Sequence, residues 1–381
     1  MSSMTSRERI LAAFQGQDVD YLPCSVYFNP NLRVQGFDCS HAEDRVRLAL
    51  DLGTDPVVDF GIPHSVHPEV KTRCWKEEGD NGKYPLLWQA WDTPEGRLTQ
   101  AVRITPEIRD WQEIHLDDHA GSNIHKPLLE TPDDVRCLKY IFVPPTDADL
   151  KPGAGGRGAW VDLADRYDLP VRSLYGMGLA LLLYMMGAQN AVYFAMDYPD
   201  AFNECAQIIH RAEMRKIEFS RRAGAHILKR FGGYEMTNFY NPEIFRRVVM
   251  PCLKREVEYA HELGLLIYYR IVTGMEPLLE DIASIGFDCI EGGEPCLSNC
   301  TFEEWHTAFG RSACSWTGIS SPVLLGGSDE EAVRTEVRHA VDVFGRRNFI
   351  LGVTNSIRSH FNWQNTLAMI DEWKSIRLGG R

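Results

Sequence analysis

Long hydrophobic runs are missing from this chain, and so is an apolar leader. No stretch approaches the roughly 18 consecutive apolar residues of a membrane-spanning helix. The start, MSSMTSRERILAAFQG, has no apolar signal core and no small-residue cleavage site. The sequence therefore predicts a protein that does not span a membrane and that works in the cytoplasm.

Positive charge is also in short supply. The chain has 40 Lys and Arg residues against 53 Asp and Glu residues, a formal net charge of -13. Nucleic acids and anionic membrane surfaces both require a basic face on the protein that binds them. The charge balance therefore argues against both as main partners and favours a small-molecule substrate or a protein partner that is not strongly acidic.

The ten cysteines lack the regular spacing of a disulfide framework, and no internal repeat or low-complexity tract is found. Cysteines scattered in this way in a cytoplasmic protein are mostly reduced thiols, buried as small apolar residues. The fold is therefore expected to rest on a hydrophobic core.

What the chain does contain is a regular alternation of short apolar segments with helical segments. Eight segments are interpreted as core strands, at residues 22–29, 56–61, 171–176, 226–233, 265–271, 288–293, 312–319 and 348–354. Each is followed by helical material, the pattern of an α/β fold of the (β/α)8 TIM-barrel type. We predict one domain over residues 1–381, with its active site at the carboxyl ends of the strands.

The alternation breaks once, after the second strand. Residues 70–103 are interpreted as three antiparallel strands with turns at 79–82 and 94–96, and residues 104–160 are irregular. We therefore predict that residues 62–160 are a β-rich, irregular insertion lying over the barrel mouth.

The segment 264–320 carries the first candidates for chemistry. Glu276 and Glu291 follow two successive predicted strands and are separated by fourteen residues, and Cys314 lies within the next strand. Each residue also has a purely structural interpretation: a glutamate before Pro277 suits a helix start, and a strand cysteine is most often a core residue.

Both ends of the chain resemble the uroporphyrinogen decarboxylase superfamily. The opening TSRERILAAFQGQDVDYLPC resembles its first helix, turn and strand, and LLGGSDEEAVRTEVRHAVDVFGRRNFILGVTNSI with NTLAMIDEW resembles its final helix, strand and helix. The resemblance implies a TIM barrel with one of two activities. Members are either uroporphyrinogen decarboxylases or methyltransferases that move methyl groups to or from a corrinoid carrier.

The decarboxylase motifs implied by this resemblance are poorly matched. Only Arg33 stands where an Arg-rich loop is expected, although Asp59 and Tyr184 match the catalytic aspartate and tyrosine positions. Residues 352–355 replace a late histidine turn. A porphyrinogen with several carboxylates needs several cations, so this activity is the less favoured one.

The methyltransferase branch matches better, and WDTPEGRLTQAV resembles its middle segment. Its usual strand-five zinc ligands are replaced by Arg270 and Val272. Its O-demethylases are similar in having two glutamates at the spacing of Glu276 and Glu291 and then a histidine, for which Cys314 is the nearest substitute. The resemblance therefore implies a zinc site formed by these three residues. Glu235 is a candidate fourth ligand or general acid.

Other polar and aromatic residues near the strand ends are candidates for substrate binding. Arg270 can hold a carboxylate in a bidentate pair, or it can instead form a salt bridge to Glu291 or Asp288. Some of the aromatic residues belong to an ordinary core, and others suit an aromatic ligand. The predicted substrate-binding residues are Arg270, Tyr234, Trp316, Asn355 and Phe28.

Together these observations predict a methyltransferase that moves a methyl group from a methoxylated, aromatic substrate to a corrinoid protein. A zinc ion would act as the Lewis acid on the ether oxygen, with cobalamin carried by the partner protein. One alternative is a cofactor-independent decarboxylase using Asp59 and Tyr184. The other is a non-catalytic barrel that binds a corrinoid or another ligand, and a homodimer also stays open.

Overall fold

The structure is a computed structural model that describes residues 3–62, 65–79, 82, 84–150, 158–294 and 296–378. The strands are β1 Cys24–Ser25, β2 Arg33–Val34, β3 Phe37–Asp38, β4 Val58–Gly61, β5 Lys71–Glu77, β6 Leu86–Thr93, β7 Gly96–Arg103, β8 Ile124–Lys126, β9 Val171–Gly176, β10 Ile227–Phe231, β11 Leu266–Ile271, β12 Cys289–Gly292, β13 Cys314–Ile319 and β14 Phe349–Val353.

The α-helices alternate with the strands of the main sheet. They are α1 Ser6–Phe14, α2 Ala42–Asp51, α3 Asp118–Ser122, α4 Val135–Ile141, α5 Ala159–Tyr167, α6 Ala180–Met186, α7 Ala188–Asp197, α8 Pro199–Arg222, α9 Pro242–Ile244, α10 Met250–Glu262, α11 Leu279–Ala283, α12 Phe302–Phe309, α13 Glu330–Phe344 and α14 Trp363–Ile376. None of the described helices is long and apolar enough to cross a membrane.

Eight strands form one parallel sheet in the order β1-β14-β13-β12-β11-β10-β9-β4. The α/β class and all eight predicted core strands are therefore confirmed, although several strands are shorter than predicted. The sheet curls in the manner of a TIM barrel, with β1 and β4 as its end strands. Among the described residues no strand ladder joins these two, but the Asp55 amide donates to the Cys24 carbonyl oxygen at 2.7 Å.

Between β4 and β9 the chain forms a second sheet, which is antiparallel and has the order β5-β6-β7-β8. Its first three strands match the predicted strands of residues 70–103. The predicted turn at 79–82 lies partly outside the described residues. That this region is an insertion over the barrel mouth stays a prediction.

The amino-terminal helix closes one end of the curled sheet. Thr5 caps α1 through a reciprocal pair of hydrogen bonds with Glu8, which satisfies backbone donors that a helix start leaves free. Ile10 and Phe14 of this helix pack against Tyr268 and other inward-facing residues at the amino-terminal ends of the strands. Burying each such side chain contributes about 1.5–3 kcal/mol, and the cluster forms the floor beneath the candidate site.

Candidate functional site

A cavity of about 240 Å³ opens above this floor, on the inner face of the curled sheet. Residues of β4, β9, β10, β11, β12 and β13 line it, together with the segment that follows β1 and with α2. The charged lining residues are Arg45, Asp59, Arg172, Lys229, Arg270 and Glu291. Because parallel strands present alternate side chains to one face, these charges form a layer across the cavity.

The first pair in this layer joins two neighbouring strands. Arg172 of β9 donates to both carboxylate oxygens of Asp59 in β4, with nitrogen–oxygen distances of 2.6 and 2.9 Å. The remaining terminal nitrogen of Arg172 donates to the Tyr268 hydroxyl at 2.9 Å. Such a bidentate pair is both strong and directional, so Asp59 and Arg172 hold each other in place.

The second pair lies across the cavity. Arg270 donates to Glu291 Oε1 at 2.5 Å and to the Thr354 carbonyl oxygen at 3.0 Å. Burial opposes ionisation of Glu291, but Arg270 and Lys229 outweigh it and lower the pKa of this carboxyl. The salt bridge to Glu291, one of the two interpretations of Arg270, is therefore present, and two nitrogens of Arg270 are already engaged by the protein.

Lys229, like Arg45, is a cation of this layer without a carboxylate at hydrogen-bond distance among the described residues. Its Nζ atom lies 3.9 Å from Glu291 Oε2, with 20% of the side chain exposed to the cavity. Burial is the main cause that lowers the pKa of Lys229 to about 7. Arg270 and Arg172 contribute to this lowering, and Glu291 opposes it. Glu291 Oε2 is itself buried without a hydrogen-bond partner in the described structure.

The charges lining the cavity do not balance. Four cationic side chains stand against two carboxylates, a formal excess of two positive charges in a chain with a net charge of -13. Asp59 pairs with Arg172 and Glu291 pairs with Arg270. Arg45 and Lys229 carry the excess, which favours an anionic ligand.

Aromatic side chains form part of the cavity lining. Phe28, Phe231 and Trp316 line the cavity, and the Trp316 indole donates to the Ser25 carbonyl oxygen at 3.0 Å. Gly352 gives the indole its space, because a Cβ at that position would lie 2.6 Å from Trp316 Cδ1. The cavity therefore combines a charged layer with faces on which a ring can stack.

Six of the predicted site residues line this one cavity. They are Asp59, Arg270, Glu291, Trp316, Asn355 and Phe28. The other five predicted residues lie elsewhere, and each has a local physical reason for its position.

The three predicted zinc ligands are not brought together. Glu276 accepts a hydrogen bond from the Asn299 amide at 2.8 Å, in the loops beyond the strand ends. Cys314 is buried in the floor cluster and pairs in register with Cys289. It lies two residues before Trp316, the register partner of Glu291, and so about 6.6 Å nearer the amino-terminal end. Among the described residues no three His, Cys, Asp or Glu side chains are grouped to hold a metal ion.

The structure therefore does not bring this donor set together, and zinc binding stays a prediction that these positions do not support. Glu276 and Cys314 lie on opposite sides of the charged layer, and Glu291 is occupied by Arg270. Parallel strands align the height of residues along the sheet, and the sequence spacing alone did not show that height.

Glu235 lies behind the sheet and not in the cavity. It accepts hydrogen bonds from Arg230 and the Leu179 amide, both at 2.9 Å, and from the Tyr269 hydroxyl at 2.6 Å. We refer to the buried group of His210, Glu213, Arg230, Glu235 and Glu256 as the helix-side cluster. Glu235 is 1% exposed and accepts three hydrogen bonds there, so its position favours a structural role over the predicted metal ligand or general acid.

Tyr184 and Tyr234 meet at a different point. Their hydroxyl groups donate to the same oxygen of Asp118, at 2.9 and 2.7 Å. Burial and the nearby Asp118 carboxylate raise the pKa of both phenols. This contact ties α3 to α6 and to the loop after β10. Tyr234 packs edge-on against Phe231 of the cavity wall.

Arg172 and Lys229 are the functional candidates that sequence reasoning missed. Each is a charged residue in the middle of a strand that is otherwise apolar. Such residues are almost never buried without a partner. That signal was present in the segments VRSLYG and HILKRFGG, but the sequence did not show which face of the strand each side chain occupies.

Comparison with known proteins identifies the family. A sequence model of uroporphyrinogen decarboxylase matches residues 112–376, which is more than half of the chain. The chain belongs to the uroporphyrinogen decarboxylase family. The resemblance noted in the sequence is thus confirmed, and the family supports an enzyme of the methyl-transfer or decarboxylase type.

Solved structures agree on the fold of this family member. A methyltransferase from Methanosarcina mazei is 15% identical, with 98% of this chain and 99% of that chain covered and a TM-score of 0.58. A B12-independent methionine synthase from Shewanella sp. is 11% identical, with 93% and 96% covered and a TM-score of 0.46, too low to support an argument. A search of curated proteins finds no match.

Proposed function

We propose that this chain is a methyltransferase that takes the methyl group from a small methoxylated aromatic acid and passes it to a corrinoid protein. The observation that carries this proposal is the combination found in the cavity lining: an excess of positive charge together with the aromatic side chains Phe28, Phe231 and Trp316. A carboxylate and a ring are the two features that such a lining recognises.

The size of the cavity supports a small substrate. Its volume of about 240 Å³ is just below the roughly 300–1,000 Å³ of sites for drug-sized ligands. A porphyrinogen with several carboxylates calls for a larger and more cationic cavity. The decarboxylase alternative is weakened further because Arg172 engages both oxygens of Asp59.

Within this cavity the chain's own residues supply charge and position. A reduced corrinoid on the partner protein would supply the nucleophile that accepts the methyl group. When the methyl group leaves an ether, negative charge develops on the oxygen. A preorganised cation stabilises that charge more strongly in a dry site than in water, and the Lys229 ammonium is placed for this role. No metal step is included, because the predicted ligands are separated.

The experiment is a methyl-transfer assay with a reduced corrinoid protein and a panel of methoxybenzoates. We expect demethylated product by mass spectrometry and loss of the reduced corrinoid absorbance, with benzamide analogues reacting poorly because they lack the carboxylate. Absence of turnover with every methoxylated acid would overturn the proposal.

Two further arms separate the alternatives. Decarboxylation of a porphyrinogen without any corrinoid protein would support the decarboxylase. Tight binding of the acids without any turnover would support the non-catalytic ligand-binding barrel.

A further inference from the structure

Two polar groups of the cavity lack hydrogen-bond partners in the described structure, and they face each other. Lys229 Nζ lies 3.9 Å from Glu291 Oε2, which is beyond hydrogen-bond distance. The Glu291 side chain is 7% exposed, and its Oε2 atom accepts no hydrogen bond. A partly exposed donor and a buried acceptor thus face each other across a narrow gap without a hydrogen bond between them.

The neighbouring groups do not close this gap. Arg270 uses the other oxygen of Glu291, and Arg172 is committed to Asp59 and Tyr268. Buried polar groups that lack a partner carry a desolvation penalty of about 1–3 kcal/mol. Such groups are uncommon in folded proteins and call for an explanation.

We propose that Lys229 and Glu291 together bind one hydroxyl group of the ligand. The hydroxyl oxygen accepts a hydrogen bond from Lys229 Nζ, and the hydroxyl hydrogen is donated to Glu291 Oε2. An oxygen atom about 2.8 Å from each side fits between two atoms that are 3.9 Å apart.

The chemistry of the pair selects this group over others. A ligand carboxylate would meet the like charge of Glu291, and a ligand ammonium would meet that of Lys229. An ether oxygen accepts from Lys229 but has no hydrogen for Glu291. Only a group that both accepts and donates satisfies the two residues together.

This inference rests on the proposed function for its choice of ligand and adds the position of the reacting oxygen. Loss of the methyl group leaves an oxyanion, which becomes a hydroxyl when it takes up a proton from water. The product would then gain the bond to Glu291 that the substrate lacks. One additional hydrogen bond to a charged group corresponds to about tenfold in affinity. The demethylated acid is therefore expected to bind about tenfold more tightly than its methyl ether.

The test is calorimetric titration of the full-length protein with the ortho, meta and para isomers of hydroxybenzoate and methoxybenzoate, and with benzoate. In wild type, the best hydroxy acid should bind about tenfold tighter than its methoxy partner. Glu291→Gln keeps the contact with Arg270 and should bring this ratio close to one. Lys229→Met should reduce the methoxy acid to the affinity of benzoate, and should weaken the hydroxy acid by about the same factor because its hydrogen bond to Glu291 remains. Lys229→Gln provides a second variant if the first does not fold.

Lys216→Met is the matched control, because Lys216 is also buried but does not line the cavity, and it should bind as wild type does. Equal binding of hydroxy and methoxy acids by wild type, no binding of any hydroxy acid, an unchanged ratio in Glu291→Gln, or unchanged affinities in the Lys229 variants would overturn the inference. Methyl transfer is measured on the same preparations. Turnover without the binding pattern rejects the hydroxyl site alone, and the binding pattern without turnover rejects the proposed function alone.

Discussion

Lys229 and Arg230 are consecutive residues of β10, yet they belong to two different charged clusters. Lys229 faces the cavity with Asp59, Arg172, Arg270 and Glu291, which we refer to as the cavity cluster. Arg230 points to the opposite face, into the helix-side cluster. The alternation of side chains along a strand thus separates two groups of buried charges by one residue.

In the helix-side cluster every charged group has a direct partner. Arg230 donates to Glu256 and Glu235, both at 2.9 Å, and His210 lies 2.9 Å from the other oxygen of Glu256. Glu213 accepts from the backbone amides of two residues at 2.6 and 2.9 Å. Burial raises the pKa of Glu213, whereas Arg230 lowers the pKa of Glu256 against the effect of burial.

The cavity cluster is only partly satisfied. Two of its cations are paired, but Lys229 and one oxygen of Glu291 have no hydrogen bond within the described residues. Fully satisfied buried networks rigidify a fold, whereas unsatisfied groups beside a cavity are available to a ligand. The difference separates charges that maintain the structure from charges that bind, and four predictions test it.

Arg230→Met should have the largest effect. Removing this guanidinium leaves three buried carboxylates without their shared cation, and breaking a buried pair from one side destabilises a protein by about 3–5 kcal/mol. Urea unfolding followed by circular dichroism measures the loss. The exposed ion pair of Arg222 with Asp147 is a suitable control, because Arg222→Met should leave the unfolding midpoint close to that of wild type. A wild-type midpoint for Arg230→Met would contradict a structural role.

In contrast to Arg230→Met, Lys229→Met should reduce methyl transfer strongly and change stability little. Methyl transfer should fall about 100-fold in kcat, the effect of removing one preorganised donor from a developing anion. Stability should change by less than about 1 kcal/mol, because Glu291 keeps Arg270 as its partner. The assay and the urea titration are run on one preparation. Unchanged turnover together with a large loss of stability would place Lys229 with the structural charges.

The sequence was sufficient to predict the fold because helices and strands produce periodic hydrophobic patterns. Apolar segments alternating with helices predicted all eight core strands. Three of the antiparallel strands outside the main sheet were also recognised. Such patterns depend on local spacing, which the sequence displays directly.

The candidate site was predicted less completely, and the reason is geometric. Strands buried on both faces are apolar on both faces, so nothing in HILKRFGG indicates that Lys229 faces the cavity and Arg230 faces the helices. The predicted zinc ligands lie at different heights, since Cys314 begins its strand and Glu276 follows the end of another. Glu235 follows the end of β10 but lies on the helix side of the sheet.

Arg45→Met tests the surplus charge and should have a smaller effect. Arg45 lines the cavity from α2 and forms no ion pair among the described residues. Its loss should weaken binding of a methoxybenzoate about tenfold, the usual scale for a hydrogen bond to a charged group, and should leave binding of the matching benzamide unchanged. Isothermal calorimetry measures both ligands. An equal loss for acid and amide would show that Arg45 affects shape and not charge.

The smallest expected effect is a pH dependence of stability that belongs to Lys229. Burial lowers the pKa of Lys229 to about 7, against about 10.4 in an unfolded chain. Between these values the unfolded state holds a proton that the folded state lacks, so the stability of wild type relative to Lys229→Met should rise with pH. Because 20% of the side chain is exposed to the cavity, we expect a gain of only about 1 kcal/mol from pH 7 to pH 9. Urea titrations of both proteins at each pH measure this gain. The pKa of Lys216 is also lowered by burial, but its contribution to the pH dependence is removed by the comparison because both proteins contain Lys216. If the stability of wild type relative to Lys229→Met stays constant or falls as the pH rises, Lys229 remains protonated over this range. The cavity cluster would then keep its full positive charge.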